Sequence, residues 1–239
     1  MVASLIAFAA LTQRAFDLYS YGPYESRVPR PESVLGYEIG TKHSTFRDQE
    51  RYIQAAVAAA PDRVQIREYG TSTEGRPLKV LIIGSKANMA RLTEIEKQHE
   101  ALAAGKGDPK NTVPILWINE CIHGDETASF EAGMVSLYTL LASENPAIKE
   151  ALDKCLVILN PVYNPDGHER YVVYYNAVAV GSPEPEAFER GGPNVMYGRV
   201  NHYRFDMNRD RVAFSQKETQ AEYPTMLKWA PQVYIDQHG

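Results

Sequence analysis

The stretch that decides the fold lies at residues 113–126 and reads VPILWINECIHGDE. Its first half, Val113–Asn119, is a short apolar run without charges, which predicts a strand buried on both faces of a sheet. His123 and Glu126 follow the end of this run, where open α/β sheets carry their functional sites. An imidazole and a carboxylate three residues apart across a strand-to-helix turn can converge on one cation, and zinc accepts both kinds of ligand.

A catalytic zinc site needs a third protein ligand besides this pair. His238 is the candidate, because it also follows a short apolar strand, Val233–Ile235, and two strand ends of one sheet can lie side by side. The pair by itself is weak evidence for a metal. In the alternative interpretation His123 is a surface residue near a helix start, where the helix dipole favours acidic neighbours such as Asp125.

The rest of the chain alternates predicted strands with predicted helices. The helices are Phe46–Ala60 opened by Thr45, Asn88–Ala104, Glu126–Ser143, a short one from Asn145, and one from the capping box of Ser215 and Glu218 to Trp229. The strands are Arg63–Tyr69, Pro77–Gly84, Leu156–Asn160 and Gln232–Asp236, with Tyr171–Val180 a candidate strand in an otherwise irregular stretch. This order predicts the α/β class, with a mixed central sheet flanked by helices on both faces.

Composition is that of an ordinary soluble globular protein, with 44% hydrophobic and 23% charged residues. The formal net charge of −5 argues against a nucleic-acid partner, whose surface would need a basic stripe on the protein. Cys121 and Cys155 form no CxxC pair, which argues against a cysteine zinc site. They are predicted as two buried thiols or, alternatively, as a disulfide between adjacent strands.

The N-terminal residues Met1–Leu11 are apolar or small, and too few to span a bilayer. They resemble the apolar region of a secretory signal, with Ala7-Phe8-Ala9 as a cleavage-like site, although no Lys or Arg precedes them. We therefore predict a remnant signal and extended lead-in over residues 1–36. The protein is predicted to be secreted or periplasmic, without stable membrane insertion. The alternative is an apolar segment packed on the domain.

Three further motifs stand in a fixed order around the metal candidates. Glu74–Leu78 reads EGRPL, Asn164–Gly167 reads NPDG and Asp206–Arg209 reads DMNR. With HxxE at His123 and the distant His238, they resemble the signature of the M14 zinc metallocarboxypeptidase family over residues 37–239. The resemblance implies a carboxypeptidase-like α/β/α catalytic domain that hydrolyses a C-terminal peptide bond.

Carried over residue by residue, the resemblance implies one Zn²⁺ per chain, held by His123, Glu126 and His238. Asp206 is then the group that accepts the free ring N–H of His123 and fixes its tautomer. NPDG is interpreted as a turn that shapes the cleft wall, because Pro165 presets φ and Gly167 tolerates positive φ. The four other histidines, His43, His99, His168 and His202, are left unassigned to metal. Among them, His99 is predicted to be solvated and His168 is a candidate to line the cleft.

The same resemblance implies a substrate with a free carboxylate, either a peptide or a small amide. Asn208 and Arg209 would bind that carboxylate, since a guanidinium offers a rigid fork that matches it. An arginine between NPDG and DMNR would polarise the scissile carbonyl. Arg199 is the candidate chosen, with Arg190 and Arg204 as alternatives. Oligomeric state is left open.

Two departures from the family pattern affect the interpretation. Many members have Arg where this chain has Asp125, which would repel a carboxylate or bind a cationic group. The general-base Glu and a substrate-closing Tyr of the family lie beyond the third ligand, so we expect a C-terminally truncated domain that is incomplete for catalysis. The alternatives are a zinc amide hydrolase acting on acyl amino acids or cell-wall peptides, and a non-catalytic zinc-dependent binding module.

Overall fold

The computed structural model describes residues 17–179 and 197–239. Its strands are β1 (Val64–Thr71), β2 (Pro77–Ile83), β3 (Ile115–Glu120), β4 (Leu156–Asn160) and β5 (Val233–Gln237). Its α-helices are α1 (Pro31–Leu35), α2 (Phe46–Ala59), α3 (Lys86–Ala90), α4 (Leu92–Ala103), α5 (Thr127–Ala142), α6 (Pro146–Lys154), α7 (Pro165–Val178), α8 (Asp210–Ala213) and α9 (Lys217–Trp229). Among these residues the strands form one sheet in the order β1-β2-β4-β3-β5.

The sheet is mixed, as the sequence predicts. β1 pairs with β2 and β2 with β4 in antiparallel fashion, whereas β3 lies between β4 and β5 and is parallel to both. The register aligns Asn119 with Asn160 on one side and with Asp236 on the other. The carboxyl ends of β3 and β5 therefore lie next to each other, which brings the residues that follow them to one edge of the sheet.

Helices cover both faces of the sheet, because side chains alternate between the two faces along each strand. On β2, Leu81 and Ile83 pack in one core cluster with Tyr52 of α2 and Leu137 of α5. Val80 and Ile82 point the other way and pack with residues of the second cluster, which include Trp117, Ile95 of α4 and Trp229 of α9. The fold class predicted from the sequence is thus confirmed.

Helix α7 corrects two predictions. Tyr171–Val178 is helical rather than a strand, while Val180 lies outside the described residues. The NPDG motif is the start of this helix rather than a separate turn. Asn164 is the N-cap and accepts a hydrogen bond from Gly167 N, and Pro165 occupies the first helical position. Proline suits that position because its missing N–H would have no partner there.

Helix boundaries also differ from the sequence predictions in two places. The helix predicted from Asn88 to Ala104 is two helices, α3 and α4, which meet at Arg91. The capping box of Ser215 and Glu218 is not formed, and Gln216 is the N-cap of α9 without a side-chain cap bond. The Ser215 hydroxyl donates to Asp210 Oδ1 instead, and Glu218 accepts from Thr73 N.

The structure also decides three predictions about side chains and the lead-in. The prediction that His99 is solvated is wrong, because His99 is fully buried and its Nε2 lies 2.8 Å from the carbonyl oxygen of Val113. Cys121 and Cys155 are free thiols, so the disulfide alternative is excluded; Cys121 is buried and Cys155 half-buried. In the segment predicted as an extended lead-in, α1 is helical and Leu35 packs in the core.

The predicted signal stretch, Met1–Leu11 with Ala7-Phe8-Ala9, lies outside the described residues, as does Arg190. Among the helices that the structure describes, none has the length and apolar character needed to cross a bilayer.

Candidate metal centre

The loop after β3 holds its first candidate ligand by close backbone packing. Cys121 adopts a left-handed conformation with φ 58°, which turns the chain directly after the strand. Gly124 lies so close to the start of α7 that a Cβ there would stand 2.1 Å from His168 N. No side chain fits in that space, so the loop that carries His123 is clamped against the NPDG segment.

His123, Glu126 and His238 come together at the edge formed by β3 and β5. One ligand atom from each lies within 4.8 Å of the others. His123 Nδ1 is 2.8 Å from Glu126 Oε1, and His238 Nδ1 is 2.9 Å from Glu126 Oε2. The two imidazole rings lie 4.9 Å apart, centre to centre. His123 is buried and His238 is partly exposed, so the group has one open side.

The hydrogen-bond chemistry of this group fits a bound cation. His123 Nε2 is 3.2 Å from Asp206 Oδ1, and a neutral ring that donates this proton to Asp206 has a lone pair on Nδ1. That lone pair then faces the Glu126 carboxylate at hydrogen-bond distance, so two acceptors oppose each other, with the Arg199 guanidinium 3.2 Å from the same nitrogen. A cation satisfies both, and nitrogen and carboxylate donors are the ligands of catalytic zinc sites. The donor set therefore fits Zn²⁺.

Asp206 lies behind His123 and is itself held by an arginine. Arg199 Nε and Nη2 donate to Asp206 Oδ2 at 3.1 and 2.9 Å, and Asp206 Oδ1 accepts from Asn208 N at 3.0 Å. Burial raises the pKa of Asp206, but the hydrogen bonds and charge of Arg199 outweigh burial and leave it below its ordinary value. Asp206 therefore carries the negative charge that an N–H of His123 can meet.

The two residues predicted to bind a substrate carboxylate lie on the His238 side of the group. Asn208 Nδ2 is 3.4 Å from His238 Nε2. Arg209 is exposed, and its Nη1 donates to the carbonyl oxygen of Asn208 at 3.1 Å. Both lie in a 3₁₀ turn, Met207–Arg209, whose N-cap Asp206 accepts a hydrogen bond from Asn208 N through its side chain. One short turn thus links the group behind His123 to these two donors.

Of the arginines considered for polarising the scissile carbonyl, Arg199 and Arg204 differ in their distance from the metal candidates. Arg199 Nη1 lies 3.2 Å from His123 Nδ1, the ring nitrogen that faces Glu126. Arg204 is exposed, and its Nη1 donates to Tyr197 O. Of these two, Arg199 is the one beside the metal candidates. Asp125 is half-buried at the same edge, and burial raises its pKa above the ordinary value.

His168 has a role that the sequence prediction missed. It is fully buried and does not line a cleft. Its Nδ1 is 2.9 Å from Gly124 O and its Nε2 is 2.9 Å from Ser44 O, while its ring stacks on Phe130 at 3.6 Å between centroids. It therefore joins the metal loop to the segment before α2. Its position directly after NPDG was the available signal.

The motifs EGRPL and NPDG meet through Asp166, another residue to which the sequence interpretation gave no role. The Asp166 carboxylate is buried and accepts from Ser72 Oγ at 2.7 Å, Glu74 N at 2.9 Å and Arg76 Nη1 at 2.7 Å. These donors form the turn between β1 and β2. On the other side of the motif, Asn164 Nδ2 donates to Arg199 O at 3.2 Å. NPDG therefore joins the turn between β1 and β2 to the segment that carries Arg199.

Comparison with known proteins agrees with this geometry. The chain is 26% identical to human carboxypeptidase D over 156 residues, which is 64% of this chain and 10% of that protein. It is 28% identical to carboxypeptidase 2 of Trichophyton rubrum over 123 residues, which is 52% of this chain and 18% of that protein. The chain thus spans a minor part of the length of these relatives.

Solved structures show the same fold. Carboxypeptidase A from Helicoverpa armigera matches with a TM-score of 0.55 and 16% identity, covering 87% of this chain and 51% of that one. A metallocarboxypeptidase from Burkholderia cenocepacia matches with a TM-score of 0.53 and 18% identity, covering 83% and 41%. The family model for zinc carboxypeptidase, Peptidase_M14, matches residues 49–239, which is most of the chain. The chain therefore belongs to the M14 zinc carboxypeptidase family.

Proposed function

We propose that this protein is a zinc metallocarboxypeptidase that hydrolyses the C-terminal bond of a peptide, with His123, Glu126 and His238 as the ligands of one Zn²⁺. The observation that carries the proposal is the convergence of these three residues, with His123 Nδ1 2.8 Å from Glu126 Oε1 and His123 Nε2 3.2 Å from Asp206 Oδ1 on the opposite side of the ring. A zinc ion held there supplies a Lewis acid, which polarises a carbonyl and lowers the pKa of a water.

The residues of this chain would take three further roles: binding of the substrate carboxylate, polarisation of the scissile carbonyl and support of a metal ligand. Arg209 and Asn208 bind the terminal carboxylate of the substrate, since a guanidinium and an amide beside each other offer several N–H donors. Arg199 donates from Nη1 to the scissile carbonyl oxygen, where negative charge develops during attack. Asp206 keeps the Nε2 proton of His123 in place and holds the Arg199 guanidinium at the same time.

A second candidate function has one observation in its favour. Asp125 places a carboxylate beside His123, where a substrate carboxylate would be repelled and a cationic group attracted. The alternative is a zinc amide hydrolase acting on acyl amino acids or cell-wall peptides at the same metal site. We also propose that the protein is secreted or periplasmic, on the apolar composition of Met1–Leu11.

The test measures metal content and substrate cleavage together. The purified protein should bind about one zinc, and His123→Ala or Glu126→Ala should remove it. A panel of C-terminal peptides, N-acyl amino acids and muropeptides, followed by mass spectrometry, separates the two candidate functions. Zinc content that is unchanged in both variants would refute the metal site. Cleavage of the amide substrates and not of the peptides would select the second function.

A further inference from the structure

Asp236 has no role in the geometry described so far, although it lies two residues before His238, at the end of β5. Side chains two residues apart along an extended segment leave the backbone on the same side. The Asp236 carboxylate accordingly lies beside the His238 ring, with Oδ2 3.4 Å from Nε2. Gln237, between them, points the opposite way, and its side-chain amide lies against the carboxyl group of Glu120.

The Asp236 carboxylate has no other donor among the described residues. Its side chain is 22% exposed, and its Oδ1 is buried without a hydrogen-bond partner. Asn119, its neighbour across the strands, does not supply one, because its amide nitrogen donates to Glu222 Oε1 and to the Tyr234 hydroxyl. A buried carboxylate without donors costs free energy, and aspartate is disfavoured in strands. Fold stability therefore does not explain an aspartate at this position.

The tautomer of His238 that binds a metal needs an acceptor at Nε2. His238 Nδ1 lies 2.9 Å from Glu126 Oε2 and 3.3 Å from Glu126 Oε1, so this nitrogen faces the metal candidates. A neutral ring that offers its lone pair there carries its proton on Nε2. Two side-chain atoms lie 3.4 Å from Nε2: Asn208 Nδ2, which is a donor, and Asp236 Oδ2, which is an acceptor. Of these two atoms, only the carboxylate oxygen accepts that proton.

The other candidate histidine has the same arrangement. His123 Nδ1 faces Glu126, and its Nε2 lies 3.2 Å from Asp206 Oδ1. A carboxylate at the second nitrogen of a ligand histidine fixes the ring orientation and raises the basicity of the ligand nitrogen. The His238 side chain is 39% exposed against 3% for His123, so packing holds it less firmly. A charged acceptor therefore contributes more to the orientation of His238 than packing does.

We propose that Asp236 is a positioning residue for the third metal ligand: it accepts the Nε2 proton of His238 and keeps Nδ1 turned toward Glu126, which strengthens zinc binding. The proposal rests on the proposed zinc function. At 3.4 Å the two side chains are in charge contact, and a small rotation of the partly exposed ring brings Nε2 within ordinary hydrogen-bond distance of Asp236.

The experiment measures zinc affinity by competition with a chromophoric chelator. We expect Asp236→Ala to weaken zinc binding by about 10–100-fold, the usual effect of removing such a partner. Asp236→Asn should weaken it less, because the amide oxygen still accepts the proton but carries no charge. Gln237→Ala is the matched control, since Gln237 is equally close to His238 in the chain but faces Glu120, and its zinc affinity should equal that of the wild type. Wild-type affinity in Asp236→Ala, or an equal loss in Gln237→Ala, would overturn the proposal.

Thermal unfolding of the metal-free protein separates positioning from a structural role. Because Oδ1 of Asp236 is buried without a partner, its removal should leave Tm unchanged or raise it, while zinc binding weakens. A lower Tm of metal-free Asp236→Ala would assign the residue a structural role and count against positioning.

A double-mutant cycle with His238→Ala separates this proposal from the metal site on which it rests. We expect Asp236→Ala to weaken zinc binding in the wild type but to have little further effect once His238 is alanine. If His238→Ala weakens binding and Asp236→Ala does not, the ligand set stands and the positioning role fails. Equal losses from Asp236→Ala in both backgrounds would show that it acts independently of His238. Unchanged zinc affinity in His238→Ala refutes both the third ligand and its positioning residue.

Discussion

Nε2 of His123 lies 3.2 Å from Oδ1 of Asp206, and Nδ1 on the other side of the same ring lies 2.8 Å from Glu126 Oε1. A carboxylate behind a ligand histidine fixes the tautomer, and its loss typically lowers metal affinity 10–100-fold. We expect Asp206→Asn to weaken zinc binding by about that factor, because an amide nitrogen toward Nε2 no longer accepts its proton. Competition with a chromophoric chelator measures the change.

A control must separate this effect from the support that Asp206 gives to Arg199. Arg199→Gln leaves the His123–Asp206 contact in place but removes the donors to Asp206 Oδ2. We expect it to lower zinc affinity less than Asp206→Asn does. A larger loss in the arginine variant would show that Asp206 acts mainly by holding Arg199.

Arg76 forms two ion pairs through the same atom, because its Nη1 lies 2.7 Å from a carboxylate oxygen of both Asp166 and Glu74. The contributions of a buried and an exposed ion pair to stability can therefore be compared at one arginine. Asp166 is 1% exposed and Glu74 is 32% exposed. Breaking a buried ion pair from one side costs about 3–5 kcal/mol, whereas an exposed pair contributes about 0–1 kcal/mol. We expect Asp166→Ala to lower the free energy of unfolding by about 3 kcal/mol or more, and Glu74→Gln by less than 1 kcal/mol. Urea denaturation of both variants gives these values.

The elements that carry the metal candidates were predictable because their signals are local. The apolar run at Val113–Asn119 and the one at Val233–Ile235 each precede a histidine, and parallel neighbours place such ends at one edge. The distances between His123, Glu126 and His238 were not predictable, because they depend on the strand register and on the clamp at Gly124. A residue-type pattern does not contain that packing.

The errors have a common physical origin in tertiary context. Tyr171–Val178 is rich in β-branched and aromatic residues, yet it is helical because Asn164 caps it and Pro165 starts it. His99 has charged neighbours on both sides in the sequence, yet its side chain lies on the inner face of α4 and contacts Val113 O. Local composition gave the wrong environment in both cases because the cap and the packed face decide it.

A substitution at Gly124 tests whether the close packing of the loop after β3 against the start of α7 contributes to stability and zinc binding. A methyl group there would overlap the backbone of α7, since a Cβ stands 2.1 Å from His168 N and 2.4 Å from Gly167 C. Backbone atoms cannot move aside cheaply, so we expect Gly124→Ala to lower the free energy of unfolding by about 1–3 kcal/mol and to weaken zinc binding. Thermal unfolding and metal titration measure both effects.

Gly133 in α5 is the matched control for that substitution. Its added Cβ would meet Glu120 Cγ at 3.4 Å, which is an ordinary contact with a side chain. Alanine is the better helix former there by about 0.5–1 kcal/mol. We expect Gly133→Ala to keep or raise the free energy of unfolding, and a loss equal to that of Gly124→Ala would show that the clamp is not the cause.

His168 predicts how stability depends on pH. Burial lowers its pKa from 6.5 to about 4, even though two carbonyl oxygens face its ring. The unfolded chain therefore takes up a proton below pH 6.5 that the folded protein does not bind until about pH 4, so stability falls as pH falls through this window. From pH 7 to pH 5 we expect a loss of about 2 kcal/mol from this residue.

The measurement compares the metal-free protein with its His168→Gln variant by urea denaturation at both pH values. Other titrating groups are the same in the two proteins, so the difference between their pH responses isolates His168. We expect the variant to be less stable at pH 7 but to lose less stability on acidification. Parallel losses in the two proteins would show that His168 is not neutral in the fold.

Arg209 provides the most direct test of carboxylate recognition. Its guanidinium is exposed beside Asn208, whose Nδ2 reaches His238 Nε2 at 3.4 Å, so the pair adjoins the metal candidates. Loss of a bidentate charge-assisted contact typically costs a few kcal/mol, and an exposed position reduces this. We therefore expect Arg209→Ala to weaken binding of free-carboxylate peptides by about 10–100-fold and to leave the binding of amidated peptides nearly unchanged.

Two further variants serve as controls. Arg209→Lys should recover part of the lost affinity, since lysine keeps the positive charge but not the forked guanidinium. Arg204→Ala removes another exposed arginine from the preceding loop and should change neither substrate class. Equal losses on free and amidated peptides in Arg209→Ala would assign Arg209 a structural role and leave the carboxylate site to be sought among other donors.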